Sequence, residues 1–182
     1  MKLSSARIFI RPMELADAPA QLEVRLRNRD FFQTWEPLRP ASHWTLAAQE
    51  EEIRKALRNW EEDRGYGFGV FLEETGAFIG RVNLSNIVRG AWQNATTGYW
   101  MDAQHNGKGY ATEALKLALQ YAFEHAKLHR VQAGVIPRNI GSIRVVEKAG
   151  LRFEGLSPRY LKINDVWEDH NIYAITLEDW QS

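Results

Sequence analysis

The stretch Tyr99-Trp100-Met101-Asp102-Ala103-Gln104-His105-Asn106-Gly107-Lys108-Gly109-Tyr110-Ala111-Thr112-Glu113-Ala114-Leu115 decides how the rest of the chain is read. A strand-like run enters it. A helix leaves it, with Ala111, Ala114, Leu115, Ala118, Leu119 and Ala122 at helical spacing. The first turn of such a helix presents backbone N–H groups without intrahelical acceptors and carries roughly half a positive charge. Gly107 and Gly109 lack the side chains that would hold a ligand off those donors. The stretch therefore reads as a cradle for a diphosphate. It is not a P-loop, because Gly107-Lys108 is followed by Gly109 and position 102 is Asp102. It is not the dinucleotide fingerprint either, whose third glycine would fall on Thr112. A glycine pair that merely shapes a surface turn is the remaining local alternative.

Working outward, Phe68–Leu72 and Phe78–Leu84 flank Thr75-Gly76, which is a hairpin signal. A third antiparallel strand, Ala95 to Met101, follows a turn near Arg89-Gly90. Downstream, Arg130–Val135 reads as a strand, and Gly141–Lys148 as a short helix closed by Gly150. Two last strands, 153–163 and 166–176, surround Asn164-Asp165. Near the start, Ile8 to Arg11 is a short strand stopped by Pro12. Asp17-Ala18-Pro19 opens a helix with Leu22, Val24 and Leu26 on its apolar side. Residues 31–43 read as a loop carrying Trp35-Glu36-Pro37, and Thr45 caps a second helix that Gly65 and Gly67 end. The helix after the glycines is expected from Tyr110 to Lys127. The crossover from Tyr99 to Val135 demands a parallel strand pair. The order β-α-α-β-β-β-α-β-α-β-β predicts one α+β domain over residues 1–182. Its sheet is mixed and mostly antiparallel, with a central parallel strand pair flanked by helices.

Composition narrows the function. The chain has 182 residues, 45% hydrophobic and 25% charged, which suits a globular core rather than disorder. Its formal charge is zero, so no bulk attraction draws it to nucleic acid or an anionic membrane. It contains no cysteine, which excludes disulfides, thiolate metal sites and a cysteine-bound acyl intermediate, and suits a cytoplasmic location. The start resembles no signal peptide, and no apolar run approaches about 18 residues. Asn83-Leu84-Ser85 and Asn94-Ala95-Thr96 match glycosylation sequons and read as chance. His125 and His129 have i, i+4 spacing, but without an H-E-x-x-H motif no metal is expected. Trp35, Trp44 and Trp92 are candidates for a substrate channel, with core packing the alternative.

The segment Gln104-x-x-Gly107-x-Gly109, placed between strand and helix, resembles the acetyl-CoA loop of the GCN5-related N-acetyltransferases, the GNAT superfamily. The run Asn139-Ile140-Gly141-Ser142-Ile143-Arg144-Val145-Val146-Glu147-Lys148-Ala149-Gly150-Leu151-Arg152-Phe153-Glu154-Gly155 resembles that family's next block. Three further segments resemble the Rim branch, whose members acetylate the N-terminal alanine of ribosomal proteins. They are Arg29-Asp30-Phe31-Phe32-x-x-Trp35-Glu36-Pro37, Ser85-Asn86-Ile87-Val88-Arg89-Gly90 and Tyr160-Leu161-x-Ile163-x-x-x-Trp167-x-Asp169-His170. The resemblance runs from about Arg7 to Trp180.

The resemblance implies a GNAT fold and acetyl-CoA as cosubstrate, with no metal. The diphosphate is expected on backbone N–H groups of Gln104, His105, Asn106, Gly107, Lys108, Gly109 and Tyr110, with Lys108 adding charge. The backbone of Trp100 and Met101 is implied to pair with the pantetheine amides, and Asn139 and Ser142 to lie near the pantetheine and thiol. Asn139 also reads as a helix cap. The chemistry needs a neutral amine, an oxyanion stabiliser and a proton for the departing sulfur. A peptide α-amine, with a pKa near 7.7–8.0, needs about 3 kcal/mol less help to deprotonate than a lysine near 10.4. Glu36 is the first candidate base; its alternative is a carboxylate paired with an arginine. Ser142 is the candidate proton donor to the thiolate, and Tyr160 a third catalytic candidate. The expected partner is a protein N-terminus, a ribosomal protein in the leading reading. Direct nucleic-acid contact and membrane contact are not expected, and monomer and homodimer both stay open. Two alternatives stand beside this reading: acetylation of a small amine or amino-acid-like molecule, and a noncatalytic acetyl-CoA-binding or ribosome-assembly module.

Overall fold

The computed structural model describes residues 1–181. Its strands are β1 (Leu3–Ser4), β2 (Ile8–Pro12), β3 (Tyr66–Leu72), β4 (Phe78–Val88), β5 (Asn94–Met101), β6 (Arg130–Val135), β7 (Arg152–Ile163) and β8 (Val166–Thr176). They form one sheet in the order β1-β2-β3-β4-β5-β6-β8-β7. Every neighbouring pair is antiparallel except β5 and β6. That parallel pair is joined by α4 (Tyr110–Gln120), the crossover that parallel strands require. The remaining helices are α1 (Ala18–Arg27), α2 (Arg29–Gln33), α3 (Leu46–Glu61), α5 (Ile140–Lys148) and α6 (Leu177–Gln181). No helix among the described residues is long and apolar enough to cross a membrane.

The apolar stripe of α4 explains its place. Ala114, Leu115, Ala118 and Leu119 are fully buried against Ile8, Ile10, Phe68, Val70, Ile79 and Val82 of the sheet. The small alanines let the helix approach closely, and burying each larger side chain contributes about 1.5–3 kcal/mol. The expected helix to Lys127 ends earlier in regular form. Residues Tyr121–His125 widen into a π turn, with Ala126 N–H donating to the Tyr121 carbonyl at 2.9 Å. This turn packs Tyr121 into an aromatic cluster with Trp60, Tyr66 and Phe68, at centroid distances of 4.9–5.2 Å. His129 lies beyond the turn and faces Glu178 at 3.0 Å, so it shares no helix face with His125.

The amino-terminal third departs most from its sequence reading. Residues 31–43 are not a continuous loop: α2 occupies Arg29–Gln33 and a 3-10 turn occupies Ala41–Trp44. The inward face of α1 is Ala18, Gln21, Val24, Arg25 and Asn28, whereas Leu26 is exposed. Gln21, Arg25 and Asn28 each find a partner on another element, which offsets much of their desolvation, although Arg25 Nε is left without one among the described residues. Asp17 occupies the N-cap position of α1, ahead of Pro19, but makes no side-chain capping bond to it; its carboxylate takes Arg11 at 2.7 and 2.8 Å and the Glu14 N–H at 2.8 Å. Gly67 sits inside β3 rather than ending α3, and Pro12 is the last residue of β2. Thr45 does cap α3, accepting from the Ala48 N–H at 3.3 Å. The β7–β8 turn uses Asn164 and Asp165 at φ of 48° and 64°, the left-handed pair of a tight hairpin. Asn164 also donates to the Gln33 carbonyl at 2.6 Å, which ties the hairpin tip to the end of α2.

Candidate active site

The parallel pair opens the site. β5 and β6 are in register only from Asn94/Arg130 to Thr96/Gln132. Beyond that, β5 follows β4 as far as Met101 while β6 follows β8 as far as Val135. The strands part, and a cleft of about 540 Å³ occupies the wedge, a size suited to a substantial ligand. Thr97, Gly98, Tyr99, Trp100 and Met101 line one side, and Ala133, Gly134 and Val135 the other.

The glycine loop closes one end. Gly107 and Gly109 both lie in the left-handed region, at φ of 74° and 86°, which only glycine adopts without strain. A Cβ built on Gly107 would meet nothing within 4 Å, so the space above it is open. No side chain caps α4, and the N–H groups of Gly107 to Thr112 have no acceptor among the described residues. Glu113, the carboxylate of the first turn, is held by the Ser5 hydroxyl at 2.7 Å and Arg7 Nε at 2.7 Å. It therefore does not compete for those donors. Arg144 and Lys148 of α5 add exposed cations to the cleft wall. A diphosphate fits this arrangement: free donors, a helix N-terminus and no obstructing side chain.

The loop is pinned from behind. Asp102 is fully buried and accepts from Arg27 Nη2 at 2.5 Å and Asn28 Nδ2 at 2.9 Å, while Asn28 Oδ1 accepts the Ala103 N–H at 2.9 Å. Burial alone would raise the Asp102 pKa, but Arg27, Asn28 and the Gln104 N–H outweigh it and bring it down to about 2. The carboxylate is thus ionised at every physiological pH and joins the end of α1 to the start of the loop.

On the opposite wall, Asn139 caps α5 by accepting the Ser142 N–H at 3.1 Å. Ser142 Oγ then lies 2.7 Å from the Tyr99 hydroxyl, which also has the Ser142 carbonyl at 3.2 Å. Burial pushes the Tyr99 pKa up to about 12 against the opposing bond to Ser142, so this phenol stays protonated. At the mouth, Phe31, Trp35 and Glu36 line the cleft. Glu36 Oε2 accepts from Arg25 Nη1 at 2.8 Å. Arg25 is only 3% exposed and lies over the Trp100 and Phe32 rings at 4.6 and 5.5 Å.

A family model described as an acetyltransferase (GNAT) domain matches residues 7–152. The chain belongs to the GNAT acetyltransferase family. The GNAT relatives include the "Probable N-acetyltransferase YjcK" of Bacillus subtilis, 45% identical over 177 residues, covering 97% of this chain and 98% of the relative. They also include the "[Ribosomal protein uS5]-alanine N-acetyltransferase" of Escherichia coli, 30% identical over 180 residues, covering 99% and 93%. Among solved GNAT structures, Mycobacterium smegmatis RimJ in complex with CoA-disulfide superposes with a TM-score of 0.91 at 31% identity, covering 96% of this chain and 84% of that one. This GNAT chain is accordingly an acetyl-CoA N-acetyltransferase of the Rim type.

Of the residues singled out from sequence, Glu36, Trp100, Met101, His105, Asn106, Gly107, Gly109, Tyr110, Asn139 and Ser142 line this one GNAT cleft. Gln104 and Lys108 do not; both are exposed, and the Gln104 N–H is 3.4 Å from Asp102 Oδ1. Tyr160 also stands outside the lining, 37% exposed and packed on the His170 ring at 5.4 Å. Trp35 faces the cleft, whereas Trp44 lies under Arg29 at 4.9 Å and Trp92 is 51% exposed. Sequence reasoning assigned no role to Tyr99, Arg25, Asp102 or His170. The partners of Tyr99, Arg25 and Asp102 are distant in the chain, so no local spacing announces them. Tyr99 could have been found from its place in β5, where one strand face must point at the parted β6.

Proposed function

We propose that this enzyme transfers acetyl from acetyl-CoA to a protein N-terminal α-amine, with the N-terminal alanine of a ribosomal protein as the leading substrate, in the cytoplasm. One observation carries the reading. A single cleft runs from uncapped N–H groups at Gly107 to a carboxylate, Glu36, set among Phe31 and Trp35 at its mouth. The named activity of the E. coli relative supports the substrate class.

Acetyl-CoA supplies an acetyl thioester. The N–H groups of Gly107 to Tyr110 hold its diphosphate, with Lys108, Arg144 and Lys148 adding charge, and the edges of Trp100 and Met101 receive the pantetheine amides. The Glu36 carboxylate, locked by Arg25, meets the substrate ammonium rather than carrying its proton away. Ser142 gives its proton toward the departing sulfur, and Tyr99 holds that serine in place. Tyr160 packs on the ring of His170, a residue of the cleft wall.

The test is a comparison of acceptors. Purified enzyme and acetyl-CoA are offered alanine-starting ribosomal-protein peptides, serine-starting peptides, polyamines and free amino acids. Transfer to the alanine peptides with the highest kcat/KM is the expected result. Preference for a polyamine or amino acid contradicts the proposed substrate, and binding without transfer to any amine contradicts the enzymatic reading.

A further inference from the structure

The mechanism above leaves the ammonium proton without a destination. Two imidazoles line the cleft, His105 in the glycine loop and His170 of β8, and the second is only 3% exposed. His170 Nδ1 lies 3.0 Å from the Glu168 carbonyl oxygen. A carbonyl can only accept, so Nδ1 carries the hydrogen and the lone pair of the neutral ring resides on Nε2. Nε2 makes no hydrogen bond among the described residues. His170 thus has one nitrogen anchored and one uncommitted, as a proton acceptor requires.

Its surroundings keep the ring where it is. The Tyr160 ring packs on it with centroids 5.4 Å apart. Gly134 of β6, a lining residue beside the strand wedge, makes room: a Cβ there would come within 3.5 Å of His170 Cδ2 and 3.1 Å of Tyr160. The charged group beside this ring, the Glu168 carboxylate, is itself occupied by Arg138 through two bonds of 2.8 Å. It leaves the imidazole free to accept. Glu36 is differently placed, because its carboxylate already answers a buried guanidinium.

We propose that His170 is the general base that takes the proton from the incoming ammonium. The proposal rests on the reading above only for the identity of the amine. The ammonium gives one proton to Nε2, which later returns it to water. The amine lone pair then forms the N–C bond as the C–S bond breaks and its electron pair leaves on sulfur. The second nitrogen proton passes to Ser142 Oγ as the serine proton passes to sulfur. The products are an amide, a thiol and one proton in solution.

The variant His170→Asn tests this. Its amide NH2 can keep the bond to the Glu168 carbonyl while removing the acceptor at Nε2. His170→Gln is the second variant should the first fold poorly, and thermal melting with acetyl-CoA calorimetry checks both. With whichever amine the wild type accepts, kcat/KM at pH 7 should fall about 100-fold. At pH 9, where an α-amine with a pKa near 7.7–8.0 is already neutral, the loss should shrink to about tenfold or less. Acetyl-CoA affinity should not change. Independently of activity, 15N NMR of the histidine-labelled enzyme should show His170 protonated on Nδ1. A kcat/KM within threefold of wild type at pH 7, a loss equal at both pH values, or a proton on Nε2 would each overturn the proposal. Wild-type preference for a small amine, with the His170 variants still impaired, would contradict the peptide substrate and leave the base assignment upheld.

Discussion

The Tyr99 hydroxyl lies 2.7 Å from Ser142 Oγ, linking β5 to the first turn of α5 across the cleft. The phenol stays protonated because burial holds its pKa near 12. Tyr99→Phe removes one neutral hydrogen bond, about 1 kcal/mol, without opening a void. We predict a kcat lowered about fivefold to tenfold with acetyl-CoA affinity unchanged, read by steady-state kinetics and calorimetry. A wild-type kcat would remove Tyr99 from the account.

Gly107 gives a second prediction. Any side chain there is strained at φ 74°, by about 1–2 kcal/mol, and stands in the open space that the diphosphate needs. Gly107→Val should weaken acetyl-CoA binding by tenfold or more and lower the melting temperature only modestly. Calorimetry that returns the wild-type Kd would show that the ligand lies elsewhere.

Asp102 makes stability depend on acid. Its folded pKa, about 2, lies below the ordinary 3.8, so the carboxylate contributes stability that is complete above about pH 4. The contribution is lost as pH falls through about 2, and it amounts to roughly 2 kcal/mol at neutral pH. Asp102→Asn should melt lower at pH 7 and show a shallower loss of stability between pH 4 and 2. Identical acid profiles for the two proteins would contradict the role given to the Arg27–Asp102 pair.

Glu36 and Arg25 form a pair whose halves differ in burial. Glu36→Gln leaves the guanidinium, 3% exposed, without its counter-ion, a loss of about 3 kcal/mol by analogy with other buried pairs. The same change should raise the KM for the amine more than it lowers kcat. Chemical denaturation and kinetics with a peptide acceptor read both effects. An unchanged KM would mean that Glu36 serves the fold alone.

The glycine loop, the β3–β4–β5 meander and the β5–α4–β6 crossover were legible because their signals are local. Thr75-Gly76 marks a turn, Gly76 taking φ of 70°, and the α4 alanines repeat at helical spacing. The inward face of α1 was not legible. Helical spacing favoured Leu22 and Leu26, but Gln21, Arg25 and Asn28 are buried because Gln49, Glu36 and Asp102 wait for them 28, 11 and 74 residues away. Those partners come together only in the folded chain, so burial there follows tertiary satisfaction rather than side-chain apolarity. The α2 helix was hidden for a related reason. Its five residues carry little propensity, and it is held in place by Phe32 against Trp100 at 5.2 Å and by Asn164. His170 stood in a motif, yet only the Glu168 carbonyl reveals which of its nitrogens is free.

The central claim is that the N–H groups from Gly107 into the first turn of α4 hold the diphosphate of acetyl-CoA. An amide-resolved NMR titration of the 15N-labelled protein with acetyl-CoA tests it most directly. The account predicts that the Gly107, Lys108, Gly109 and Tyr110 amides show the largest downfield shifts and become protected from exchange. Saturable binding that leaves those four amides unmoved would contradict it.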